Sequence, residues 1–339
     1  MSGRRRRGAV LAALGALALA TAAASLAMGA VSVAPVDVLA VLARHLGFAG
    51  ADPPAQADAV LWGIRLPRVL LGMTVGAALG IAGTALQGVF RNPLADPHLL
   101  GVGPGASLGA VVLMLAVGAT PQAAMAGATV GAIAASAAIR RAGDLPDPGP
   151  TRLVLFGVAL GAVLSAWVGF VVFAADRSAV PPVEFWLLGS LTGATWRTLG
   201  NTFTLAAAGL LVVGASARSL DLMALGESEA GHLGVDVELV TRIVLLGAAL
   251  EVGAAVGAAG VVGFVGLLVP HVMRRLVGPG HRALLVAAAL GGAILVTGSD
   301  LVARTLAAPI EIPVGLVTTV LGGPFFLWLL LRSARRAAP

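Results

Sequence analysis

Apolar stretches long enough to cross a bilayer recur along the whole chain, and this recurrence constrains the fold more than any other feature. One run extends from Gly8 to Val33. Others begin near Val69, Leu99, Gln122, Leu153, Leu199, Ile243, Val261, Ala283 and Val314. A membrane helix needs roughly 17–25 residues, mostly apolar, so the runs predict an all-α polytopic membrane protein with about ten spans. Composition removes the soluble alternative. The chain is 58% hydrophobic and 11% charged, whereas soluble domains carry about 25% charged residues. One or two soluble cores cannot enclose that many apolar side chains. The 46 glycines suit closely packed membrane helices.

Missing residue types exclude whole classes of function. Cysteine is absent, which removes disulfides, thiolate metal sites and cysteine nucleophiles. Lysine is absent too, since every basic residue is arginine. A P-loop places a lysine on the nucleotide phosphates, so this chain has no ordinary Walker A site, and any driving ATP binds a partner subunit. The histidines at 45, 98, 232, 271 and 281 lack metal-ligand spacing, so no bound metal or cofactor is expected. No clustered Ser/His/Asp, H-E-x-x-H or paired-acid pattern marks an enzyme. The sequence pI near 11.5 does not signal nucleic acid, because the arginines stand at the ends of apolar runs rather than along a basic face.

Those arginines also predict topology. With Arg4 to Arg7 on the cytoplasmic side and spans alternating from there, Arg44, Arg65, Arg68, Arg177, Arg197 and Arg304 fall outside and all the others inside. This asymmetry favours a multi-pass inner-membrane protein with both termini cytoplasmic. The first run exceeds the length of a signal-peptide core and reads as a retained span. Residues 34–58, with Pro53 and Pro54, read as a periplasmic loop. The segments Gly101 to Gly105 and Gly260 to Pro270 read as short or broken spans. A repeat is present as well. Gly76-Ala-Ala-Leu-Gly-Ile-Ala-Gly83 recurs as Gly253-Ala-Ala-Val-Gly-Ala-Ala-Gly260, with Arg65 and Arg242 at the same offset before each copy. The two copies would run in opposite directions, the pattern of inverted-repeat transporters.

Four segments are distinctive. The first is Arg65-Leu-Pro-Arg68, followed by Gln87-Gly-Val-Phe-Arg-Asn-Pro-Leu-Ala-Asp-Pro97 and Leu100-Gly-Val-Gly-Pro-Gly-Ala106. The second is Gly263-Phe-Val-Gly-Leu-Leu-Val-Pro-His271 with Gly280-His-Arg282. The third is Ser299-Asp-Leu-Val-Ala-Arg304 with Glu311-Ile-Pro-Val-Gly315. The fourth is the polar stretch Ala224-Leu-Gly-Glu-Ser-Glu-Ala-Gly-His-Leu-Gly-Val235. In order and spacing these resemble the FecCD-like permeases of ABC importers for iron chelates, haem and cobalamin, over roughly residues 60 to 330, and the haem permeases most of all. The resemblance implies one transmembrane permease domain over residues 1–339 that forms a homodimer. A periplasmic binding protein would deliver haem or another iron chelate, and two ATPase subunits would sit on the cytoplasmic face. It implies that Arg65, Arg68 and Arg304 dock acidic residues of the binding protein. It also implies that residues 218–240 form the ATPase-coupling loop, with Leu225, Gly226, Glu227, Ala230, Leu233 and Gly234 in the contact. A ferric-siderophore or cobalamin permease is the alternative within the family. An ion-coupled secondary transporter is the alternative outside it. Glu251 is a lone charge within a span and a functional candidate on that ground, although the family pattern expects no acid there.

Overall fold

A computed structural model of the chain describes residues 2–29, 33–48, 53–143, 150–178 and 180–337, and they contain no strand. The helices in chain order are α1 (Ser2–Ala27), α2 (Pro35–His45), α3 (Ala55–Val60), α4 (Leu66–Val89), α5 (Val102–Val117), α6 (Pro121–Ala142), α7 (Pro150–Ala174) and α8 (Val180–Leu187). They continue with α9 (Trp196–Ala215), α10 (Ala217–Met223), α11 (Glu227–His232), α12 (Val237–Ala259), α13 (Val265–Val277), α14 (His281–Thr305) and α15 (Val314–Ala337). A π-helical turn over Leu61–Arg65 joins α3 to α4. Every apolar run becomes a helix. Among the described residues, seven stretches are long and apolar enough to cross a membrane, and α5 and the Val314–Trp328 part of α15 are shorter apolar helices. Helix α13 is shorter still and carries Arg274 and Arg275 in its last turn.

Two stretches read as loops between spans contain short helices. Residues 34–58 hold α2 and α3, with positions 49–52 lying outside the described residues. Helix α2 has proline at its first position, Asp37 in its first turn and a buried Val41, so dipole and burial outweigh its polar content. Residues 218–240 hold most of α10, all of α11 and the start of α12. The short helix α8 was not apparent in the sequence.

Local chemistry sets the ends. Thr120, Thr195 and Asp236 each accept a backbone N–H three residues on, capping α6, α9 and α12. Of the segments expected to be short or broken, residues 102–105 and 265–270 are helical and start the short helices α5 and α13. Residues 90–101 separate α4 from α5, and residues 260–264 separate α12 from α13. Each following helix starts from a left-handed residue, Gly101 at φ 85° and Phe264 at φ 66°.

Packing bears out the repeat. In α4, a Cβ on Gly76 would strike the carbonyl of Gly292 in α14, and a Cβ on Gly292 would strike the carbonyl of Gly76. In α12, a Cβ on Gly253 would lie 2.7 Å from Cα of Thr129 in α6, and one on Gly257 would lie 2.6 Å from Cα of Met125. Each copy therefore seats a partner helix at backbone distance, and Gly83 of the first copy also meets the carbonyl of Gly266 in α13. Helices α4 and α12 also pack on each other and form the centre of the bundle. Around them α1 and α7 are peripheral, and α7 leaves Trp167, Phe170 and Phe173 exposed. In a membrane such a face meets lipid or another subunit.

Candidate functional site

One end of the bundle carries the three arginines expected to dock a partner. They are not a free cationic surface. Arg65 is 5% exposed and Arg304 is 9% exposed. Arg65 closes the π turn and donates from Nη1 to the carbonyls of Leu26 at 2.7 Å and Ala27 at 3.2 Å. Arg304, in the last turn of α14, donates from Nη1 to Met28 O at 2.8 Å and from Nη2 to Ser25 Oγ at 2.7 Å, and it also bonds Ser25 O. These carbonyls lie at the end of α1, where the last turn leaves C=O groups unbonded and the dipole is negative. Two guanidinia from distant parts of the chain thus cap α1. Gly29 leaves room for them, since a Cβ there would sit 2.8 Å from Arg65 Nη2.

Arg68 is held by carboxylates of its own chain. Its Nε lies 3.1 Å from both oxygens of Asp300, its Nη2 lies 2.8 Å from Oδ1, and its Nη1 donates to Glu311 Oε1 at 3.1 Å. Arg304 Nε stands 3.6 Å from Asp300 one turn away. The expectation of three outward arginines is therefore corrected: this is a buried ion-pair network whose exposed member is Glu311. Asp300 and Glu311 were the residues missed. The i, i+4 spacing of Asp300 and Arg304 was the available signal.

The opposite end carries α10 and α11. Leu225 is 65% exposed and Leu233 is 58% exposed, as apolar knobs for a partner should be. Ala230 differs from expectation, because it is fully buried and packs inward on the core. Gly226 at φ 127° and Gly234 at φ 83° bracket α11, so glycine there answers the backbone conformation. Glu227 pairs with Arg91 at 2.8 Å, beyond the end of α4. Asp221 of α10 accepts the backbone N–H of His281 at 2.8 Å and lies 2.6 Å from its Nδ1. The His281 ring rests on Gly88 of α4. The α10–α11 element is thereby tied to both α4 and α14. Asp221, Arg91 and His281 were not assigned this role from sequence.

Between the two ends, Glu251 is fully buried and neither carboxylate oxygen has a hydrogen-bond partner. Its Cγ would lie 2.8 Å from a Cβ on Gly209 of α9. An unsatisfied buried polar group costs about 1–3 kcal/mol. Glu251→Met keeps an unbranched side chain that can follow the same path past Gly209. Its expected effect is a gain of roughly that size, read as a higher unfolding midpoint in detergent, while a lower midpoint would show that the carboxyl has a stabilising partner. Elsewhere, Asp96 and His98 are drawn into the interior beside Gly266 and Val262, so the two chain breaks meet. Among the described residues, no three His, Asp or Glu side chains are grouped to hold a metal ion.

The sequence profile of the FecCD transport family matches residues 17–332. The chain belongs to the FecCD transport family. This FecCD protein is 44% identical over 275 residues to the hemin transport system permease protein HmuU of Yersinia pestis, covering 80% of this chain and 82% of that protein. It is 42% identical over 289 residues to the cobalamin import system permease protein BtuC of Halobacterium salinarum, covering 84% and 76% respectively. The solved inward-facing structure of a metal-chelate type ABC transporter superposes with a TM-score of 0.82 at 30% identity, covering 96% of this chain and 99% of that one. The FecCD protein is thus a multi-pass permease of an ABC importer.

Proposed function

We propose that this FecCD permease moves haem, or another iron chelate, across the bacterial inner membrane into the cytoplasm as a homodimer. A periplasmic binding protein delivers the cargo, and two ATPase subunits dock on α10 and α11 at the cytoplasmic face. Both termini are cytoplasmic, and α5, α13 and α15 complete ten spans. The observation that carries the reading is the α10–α11 element. It projects Leu225 and Leu233 outward and is pinned by Asp221–His281 and Glu227–Arg91 to α14 and α4. Force applied to α11 reaches the centre of the bundle through those pins. ATP is bound and hydrolysed on the partner subunits, since this chain lacks a P-loop lysine. Family membership sets aside the ion-coupled transporter.

Identity to a permease named for hemin favours haem, and near-equal identity to one named for cobalamin supports cobalamin as the second reading. The purified importer, reconstituted with its ATPase and binding protein, decides between them. Haem-loaded binding protein is expected to stimulate ATP hydrolysis several-fold over the unloaded protein. Stimulation by cobalamin-loaded protein alone would replace haem as the cargo.

A further inference from the structure

Helix α2 divides its surface three ways. With about 3.6 residues per turn, Val38, Val41 and His45 share one face, and that face meets the protein. Val41 is buried, and the His45 ring stacks on Trp62 of the π turn at 3.8 Å. Val36, Leu39, Ala43 and Leu46 fall on a second face, at the spacing of an apolar helical stripe. Val36, Leu39 and Leu46 are each 69% exposed, so this stripe is apolar and yet points away from the protein. Asp37 and Arg44, two helical turns apart, share an edge between the two faces.

The neighbours of α2 set its depth. It packs on α1, α3 and the π turn. The apolar run of α1 from Gly8 to Ala27 is long enough, at about 1.5 Å per residue, to cross the roughly 30 Å of a hydrocarbon core. Its end at Ala27 therefore stands at a membrane boundary. Arg65 caps that end and holds the π turn beside it. Trp62 of the same turn lies 4.8 Å from Trp196 at the start of α9, whose Nε1 donates to Trp62 O at 3.0 Å. Tryptophans gather at the headgroup level of a bilayer. Helix α1 exposes Leu17, Leu19 and Met28, and the π turn exposes Ile64, so exposed apolar side chains continue from the spanning helix to α2.

We infer that α2 is an interfacial helix whose Val36, Leu39, Ala43 and Leu46 stripe lies among phospholipid acyl chains just below the headgroups, at the end of the bundle that Arg65 and Arg304 cap. A helix lies in that plane when one side is apolar and another polar, and the Asp37 and Arg44 edge then meets headgroups and water. A soluble partner that docks and leaves has an interface of mixed polarity, whereas this stripe offers no polar side chain. The lipid contact anchors the π turn through His45 and Trp62, so the arginine network keeps a fixed height in the bilayer. In the proposed orientation the leaflet is the outer one.

Spin labels on single cysteines test this in a chain that has no native cysteine. Val36→Cys, Leu39→Cys, Leu46→Cys and, on the polar edge, Asp37→Cys are labelled in the full permease in phosphatidylcholine nanodiscs. Electron paramagnetic resonance then compares collisions with oxygen, which concentrates among acyl chains, and with a water-soluble nickel chelate. At positions 36, 39 and 46 oxygen is expected to exceed the nickel chelate several-fold, and at 37 the order should reverse. A nanodisc admits both reagents from either side, so the result does not depend on which end of the bundle is periplasmic. The three stripe positions are exposed, and unfolding midpoints within a few degrees of the wild type confirm the fold; any two of them carry the comparison if the third fails. Leu39→Glu should shift the label at position 36 toward the nickel chelate. Nickel-dominated collisions at all the stripe positions would overturn the proposal by placing α2 in water. Strong dipolar broadening between labels at position 39 of two copies would overturn it in favour of a subunit contact. Loss of both kinds of collision only when binding protein is added would overturn it in favour of a docking surface.

Discussion

Replacing Arg68 with alanine is expected to destabilise the permease by about 3 kcal/mol, near the lower end of what removing one partner from a buried ion pair costs. The carboxylate left behind explains the size. Asp300 has a side chain only 3% exposed and takes its shortest contact from Arg68; Arg304 at 3.6 Å offers partial compensation. Arg68→Leu combined with Asp300→Leu removes both charges and should recover most of the loss, because an apolar pair of similar volume replaces a buried ion pair at little cost. Unfolding midpoints of the two single variants and the double variant measure this as a thermodynamic cycle. Additive losses would show that the pair is not coupled. The double variant also isolates docking, since it is folded yet lacks the charges. If the network presents Glu311 and its neighbours to a binding protein, affinity falls in the double variant and the deficit shrinks at high salt.

The second large effect is expected at α11. Leu233→Asp places a charge on an apolar knob that is 58% exposed, so the fold loses little and any contact covering the knob is broken. Burying an unpaired carboxylate in an interface costs several kcal/mol, which predicts at least a tenfold loss of ATPase-subunit affinity and a comparable loss of transport. Co-purification of the ATPase with the permease and uptake in proteoliposomes read the two effects separately. Gly226→Asp adds backbone strain, because φ there is 127°, and should cost stability as well as coupling. An unaltered complex with Leu233→Asp would remove α11 from the contact.

These two ends show what a single sequence discloses. The order and approximate bounds of the long helices follow from apolar run length, because the bilayer penalises every alternative. The glycine repeat pointed correctly to two matched halves, and its physical content is backbone approach to Gly292 in one half and to Thr129 and Met125 in the other. The direction of the arginine side chains was not legible. Arg68 meets a carboxylate 232 positions away, and Arg304 caps a helix 279 positions away. No local spacing encodes such contacts. An arginine at a span end looks the same whether it faces a partner or turns inward to cap α1. Residues 34–58 carry two prolines and mixed polarity, and the helix α2 within them rests on burial of Val41, which polarity alone does not reveal. At α10 and α11 the exposure of Leu225 and Leu233 agrees with the sequence expectation. The role of Ala230 was reversed by burial, and the pins through Asp221, His281 and Arg91 join segments that sequence order keeps apart.

The central claim is that α10 and α11 form the cytoplasmic contact with the ATPase. It is tested most directly with one cysteine at position 233, in a chain that has no other. In intact cells this cysteine should resist a membrane-impermeant maleimide added outside. In inverted vesicles carrying the whole importer, it should cross-link to the ATPase subunit. External labelling of position 233, or free labelling in inverted vesicles with no cross-link to the ATPase, would contradict the account.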